Sequence, residues 1–131
     1  DSLDYCIPDY YTPNLITTPE IIKKRGELLK RFMSATKKGY EFAGEHPKEA
    51  AQMLIDGTPK GTFPNTKLVF ASQEFLSPKY ADKGKAWGIQ EKKMWEAYPQ
   101  FLIDNDAVLD KDGKVVKSLD FDSLYTNEFL K

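Results

Sequence analysis

The stretch Leu28-Leu29-Lys30-Arg31-Phe32-Met33-Ser34-Ala35-Thr36-Lys37-Lys38-Gly39-Tyr40-Glu41-Phe42-Ala43 decides the fold class of this chain. Its apolar residues Leu28, Leu29, Phe32, Met33, Ala35, Tyr40, Phe42 and Ala43 return mostly at steps of three and four, while Lys30, Arg31, Lys37, Lys38 and Glu41 take the other side. That period predicts an amphipathic helix of about four turns. Upstream, Thr18 offers a hydroxyl N-cap, Pro19 suits the first helical position, and Glu20 complements the helix dipole, so a helix starts there. Downstream, Gly44-Glu45-His46-Pro47 interrupts the pattern, because proline disfavours a helical residue before it. The run from Lys48 to Ile55 restarts it, with Gly57 as the stop.

The rest of the chain reads the same way. Thr58 to Pro64 is a loop, and Asn65 or Thr66 caps a helix carrying Leu68, Val69, Phe70, Phe75 and Leu76 that Ser77-Pro78 ends. A polar link through Lys79–Lys85 leads to Trp87-Gly88. The next helix carries Met94, Trp95, Tyr98, Phe101 and Leu102 on one face, with Pro99 expected to kink or shorten it. Asp112-Gly113 is a turn between Val108-Leu109 and Val115-Val116. At the other end, residues 10–17 are rich in aromatic and β-branched side chains, but Pro8 and Pro13 cannot donate to a ladder, so an edge strand or an extended connector fits. The expectation is a mostly α chain of four to five helices plus a short N-terminal extended strand. Amphipathic helices beside an extended segment without a partner strand are also what part of a larger α/β sheet protein presents.

Composition narrows the function. The 131 residues carry 19 basic and 20 acidic side chains, a formal net charge of -1, so no overall basic field draws the chain to nucleic acid. Forty per cent hydrophobic and 30% charged residues suit a folded domain, and no apolar run approaches the ~18 residues of a membrane span. The chain opens on Asp1-Ser2-Leu3-Asp4 without an initiator Met, which reads as a processed or cut segment.

Catalytic and metal chemistry find little footing. One His46 and one Cys6, forty positions apart, make neither a zinc site nor an activated nucleophile, and His46 before Pro47 reads as a helix-junction residue. The acidic run from Asp104 to Asp112 before Gly113 fails the calcium-loop template, since its first and twelfth positions would be Val108 and Leu119; a solvated turn is the better reading. Glycine-rich phosphate loops and a nucleophile elbow do not occur, so no catalytic residue, metal or cofactor is expected. What remains is aromatic. Tyr5, Tyr10 and Tyr11 cluster around Pro8-Asp9, and Trp87-Gly88 stands at a helix entrance. There, flat faces could stack a heteroaromatic ligand while phenol and carboxylate hold its edge. The competing reading makes these core and hinge residues, and Trp95 falls on the periodic face as a core residue.

Several motifs carry a resemblance. The run Ile7-Pro8-Asp9-Tyr10-Tyr11-Thr12-Pro13-Asn14-Leu15-Ile16-Thr17-Thr18, the helix quoted first, and His46-Pro47-Lys48-Glu49-Ala50-Ala51 resemble the thiamine-pyrimidine-precursor binding family. So do Trp87-Gly88-Ile89-Gln90 through Trp95 and the closing Tyr125-Thr126-Asn127-Glu128-Phe129-Leu130. The helix pair occurs also among proteins that bind nitrate, sulfonates and taurine; Tyr10-Tyr11 before Pro13 tilts the reading to the pyrimidine branch.

The resemblance implies the C-terminal portion of an α/β, two-lobed periplasmic-binding-protein-like fold, with a hinge strand at about 5–17 and a helical region over about 18–131. It implies the substrate-binding component of an ABC importer, a lipoprotein or periplasmic protein at the outer face of the membrane. Such a protein hands a small heteroaromatic solute to a permease and is not an enzyme. Asp9, Tyr10 and Tyr11 are the residues it would place at the ligand. A thiamine pyrimidine synthase-like biosynthetic protein is the alternative, although the fungal synthases' catalytic His and Cys-rich motif have no counterpart in this chain. A helical interaction module that binds through an exposed apolar patch is the third reading, and the fragment could satisfy such a patch by self-association, including exchange of its N-terminal strand.

Overall fold

The computed structural model describes residues 2–82 and 84–130. Four α-helices follow one another: α1 (Pro19–Glu45), α2 (Pro47–Asp56), α3 (Thr66–Leu76) and α4 (Lys92–Asp104). Short 3₁₀ turns occur at Ser2–Tyr5, Ser77–Lys79, Phe121–Ser123 and Glu128–Leu130. The chain is thus mostly helical, and among the described residues no strand forms. Residues 7–17 belong to no helix or strand, so the extended segment is a connector without a ladder rather than the expected strand.

Local chemistry explains the boundaries. The Thr18 hydroxyl accepts the Ile21 N–H at 3.3 Å and starts α1 as its side chain suggests. At 27 residues α1 is longer than the four turns read from its apolar period, and Arg25, at φ -134 and ψ 31, breaks its regularity next to Gly26, a poor helix former. His46 separates α1 from α2, and Asn65 caps α3 by accepting the Leu68 N–H at 3.3 Å. Pro99 lies inside α4, so the helix runs through it.

The residues divide into two compact units, one formed by the chain up to Ile22 with Gln90–Glu128, the other by Lys23–Ile89 with the residues from Phe129 on. In the second, α2 packs on α3. A small polar knot ties α3 to the end of α1: buried Ser77 sets its Oγ 2.6 Å from the Gln73 carbonyl and 3.0 Å from that of Ala43. The Gln73 amide donates to the same Ala43 carbonyl at 3.2 Å. Tyr80 closes it by donating to Gln73 Oε1 at 3.1 Å, which leaves no polar atom of this half-buried cluster unmet. Tyr40 stacks on Trp87 at 4.7 Å and meets Tyr80 edge-on at 5.0 Å. Gly88, at φ +82, is required because a Cβ there would lie 3.1 Å from the Leu130 side chain in a backbone conformation L-residues avoid.

In the other unit α4 lies against the Phe121–Ser123 turn, and Lys92 reaches Asp122 at 2.7 Å. The predicted Asp112-Gly113 turn forms: Asp110 accepts the Asp112 and Lys114 N–H groups, Gly113 takes φ +77, and Leu109 bridges Val115 in antiparallel sense. Of the acidic run, Asp110 is engaged in the turn itself through Oδ1, while Asp104 and Asp106 bond to Gln100 and Lys117. Core material is sparse throughout. Ala51, Ile103 and Phe129 are the buried hydrophobic residues among those described, whereas Ile16, Phe75, Leu68, Met53 and Phe32 stand more than half exposed.

Candidate ligand-binding site

Within the unit that holds α4, the connector and the first turns of that helix enclose an aromatic pocket of about 210 Å³. Tyr10, Tyr11 and Asn14 contribute from the connector, and Met94, Trp95, Tyr98 and Pro99 from α4. The helix supplies its share because Met94, Trp95, Tyr98 and Pro99 fall at i, i+1, i+4 and i+5, one stripe of a 3.6-residue repeat. Pro99 lacks an N–H and adds an apolar wall.

The aromatic rings order one another. Tyr10 stacks on Tyr98 with centroids 4.4 Å apart and planes 21° apart. Trp95 lies parallel to Tyr125 at 5.7 Å, while Tyr11 tilts against Trp95 at 6.5 Å and 43°. Each pair adds roughly 0.5–1.5 kcal/mol beyond its buried area. One face of Tyr10 is therefore committed to Tyr98, and both neighbours of Trp95 are protein rings.

Hydrogen bonds fix the polar edge. The Trp95 indole N–H donates to Gln90 Oε1 at 2.6 Å. Since indole can only donate, this sets the orientation of the Gln90 amide. Gln90 Nε2 then reaches Asn14 Oδ1 at 3.5 Å, and Asn14 Nδ2 donates to the Tyr11 carbonyl at 2.8 Å. The Glu91 backbone N–H donates to the Tyr11 phenol oxygen at 2.9 Å. On the rim of α4, hydrogen bonding and charge attraction from Asp122, with help from Glu96, hold Lys92 above the ordinary lysine pKa and so cationic at neutral pH.

Of the residues read from the sequence, Tyr10 and Tyr11 line the pocket and Asp9 does not. The exposed Asp9 carboxylate accepts the Tyr10 N–H at 2.9 Å. Trp87 is engaged with Tyr40 rather than lining the pocket. Trp95, read as core, and Tyr98, read on the same helical face, are pocket walls, Asn14 completes the edge and Gln90 bonds to both Asn14 and Trp95; the placement of Trp95 and Tyr98 on one helical stripe was the available signal. His46 stands between α1 and α2 without a side-chain capping bond and packs on Phe42 at 4.9 Å. Among the described residues no three His, Cys, Asp or Glu side chains group as a metal site, and no helix is long and apolar enough to cross a membrane.

A second, shallower hollow of about 400 Å³ on α1 is lined by Lys30, Arg31, Ser34, Ala35 and Lys38. It is built from one helix surface alone, and the enclosed aromatic pocket has the better recognition chemistry.

Known proteins are similar to this chain. Residues 1–50 match the family model described as NMT1/THI5 like. A formylaminopyrimidine-binding protein from Halalkalibacterium halodurans is 30% identical over 105 residues, covering 79% of this chain and 32% of that protein. A 4-amino-5-hydroxymethyl-2-methylpyrimidine phosphate synthase from Legionella pneumophila is 27% identical over 119 residues, covering 86% of this chain and 31% of that protein. The chain thus spans about a third of the length of these curated relatives.

Proposed function

Because residues 1–50 match the NMT1/THI5-like family model and a formylaminopyrimidine-binding protein is similar to most of the chain, we propose that the chain is part of a protein that binds a thiamine-precursor pyrimidine, the substrate-binding component of an importer. The observation that carries the reading is the aromatic pocket itself. Tyr10, Tyr11, Trp95 and Tyr98 present flat apolar walls, and Tyr11 and Asn14 present hydrogen-bonding groups at one edge, the combination a heteroaromatic ring requires.

At about 210 Å³ the pocket lies below the ~300–1,000 Å³ of drug-sized sites. This suits a single small ring or one side of a larger cleft. In the two-lobed arrangement the segment about 5–17 acts as hinge and the region about 18–131 as part of one lobe, the second lobe closing over the ring. Asp9 precedes Tyr10 in the connector, and in this reading its exposed carboxylate meets an exocyclic amine of the solute. The protein works on the outer side of the membrane, lipid-anchored or periplasmic, and delivers its solute to a permease without altering it.

The similarity to a phosphate synthase favours a second reading, in which the same pocket belongs to a biosynthetic enzyme. Calorimetric titration of the full-length protein separates them. Micromolar or tighter binding of formylaminopyrimidine or 4-amino-5-hydroxymethyl-2-methylpyrimidine, recovered chemically unchanged, supports the importer component. In a separate assay supplied with a phosphate-bearing precursor, appearance of a phosphorylated pyrimidine product supports the synthase, and flat titrations with both compounds sink the pyrimidine reading.

A further inference from the structure

Two motifs distant in sequence meet beside the pocket. The Asn127 side chain grips the Gln90 backbone at both ends, accepting its N–H at 3.0 Å and donating to its carbonyl at 2.8 Å. Both groups are half-buried, so this pair of bonds is shielded from competing water. Two hydrogen bonds at the pocket edge then depend on where Gln90 stands. Its side-chain oxygen takes the Trp95 indole proton at 2.6 Å, and the next peptide N–H, that of Glu91, reaches the Tyr11 phenol at 2.9 Å.

A backbone N–H can only donate, so the Tyr11 oxygen is the acceptor there and its own proton is left for another partner. We infer that Asn127 is the positioning residue of the aromatic pocket: by clamping Gln90 it orients the Trp95 ring and makes the Tyr11 phenol a hydrogen-bond donor to the ligand. The site accordingly selects a flat ring with an acceptor, a ring nitrogen or carbonyl oxygen, at its edge. An otherwise similar ring offering only donors there is rejected, because the phenol proton would face another proton.

The selectivity for an acceptor rests on the proposed pyrimidine binding, whereas the orientation of Trp95 by Asn127 does not. The test therefore has two arms in the full-length protein. In the first, the indole N–H resonance of Trp95 is followed by NMR without ligand. Asn127→Ala is expected to move it toward the position of a solvent-exposed indole and to speed its hydrogen exchange while the Trp87 resonance stays in place; an unmoved Trp95 signal overturns the inference.

In the second arm, 4-amino-5-hydroxymethyl-2-methylpyrimidine is titrated into Tyr11→Phe, Asn127→Ala and the double variant. Each single change should weaken binding roughly three- to tenfold, the worth of one hydrogen bond, and the double variant no more than the weaker-binding single. Additive losses overturn the route through Tyr11. Should Asn127→Ala fail to fold, Asn127→Asp keeps the acceptor for the Gln90 N–H while removing the donor, and the same two readouts apply. A wild-type protein that shows no titration but a Trp95 resonance displaced by the Asn127 change defeats the pyrimidine reading and upholds the positioning role.

Discussion

At the residue scale, the aromatic positions divide by what their rings touch. Tyr10 and Tyr11 are adjacent in sequence, yet Tyr10 is bound to Tyr98 by stacking while Tyr11 is held by its hydroxyl. Their neighbourhood as a ligand-facing candidate could be read from residue type alone. The separate duties could not, because they depend on partners some eighty positions away. The same holds for Trp95. Its helical period marks it as inward-facing, but whether that face meets a core or a pocket is set by what lies opposite. Gly88 illustrates a residue whose need is conformational. Replacing it with alanine sets a Cβ at φ +82, 3.1 Å from Leu130, and is expected to cost about 1–2 kcal/mol. Urea unfolding should show this as a lowered midpoint with an unchanged slope.

At the scale of elements, helix starts were the most legible feature. Thr18, Pro19 and Asn65 sit where capping chemistry puts them, since an N-cap is a contact between a side chain and a backbone N–H three residues on. Asn65→Ala should therefore destabilise α3 by about 1 kcal/mol, with Asn65→Asp or Asn65→Ser restoring most of it, as followed by thermal melting. A melt unaffected by alanine would mean the Leu68 N–H finds another acceptor. Strand formation was less legible. The β-branched composition of residues 10–17 suits a strand, but a strand exists only through the hydrogen bonds of a neighbour, and among the described residues none pairs with it. Pro99 marks the converse limit: a lost hydrogen bond inside α4 is tolerated where its ring serves as a pocket wall.

At the scale of the whole molecule, buried hydrophobic residues are few and large exposed ones many, Ile16 at 93% and Phe75 at 67% among them. Large apolar side chains exposed in this number are the basis on which we propose that the chain self-associates. The 131-residue chain alone should migrate in gel filtration as more than a monomer at micromolar concentration and bind a hydrophobic dye. A monodisperse monomer that ignores the dye would contradict this.

The sequence by itself determined the helical class, the helix starts, the Asp112-Gly113 turn and the aromatic connector, because each follows from interactions within a few residues. Only the tertiary structure decided that the connector meets α4, that Trp95 and Tyr98 face Tyr10 and Tyr11, and that Asn127 clamps Gln90. Those contacts join residues from 37 to more than 80 positions apart, where periodicity and propensity carry no information about partners.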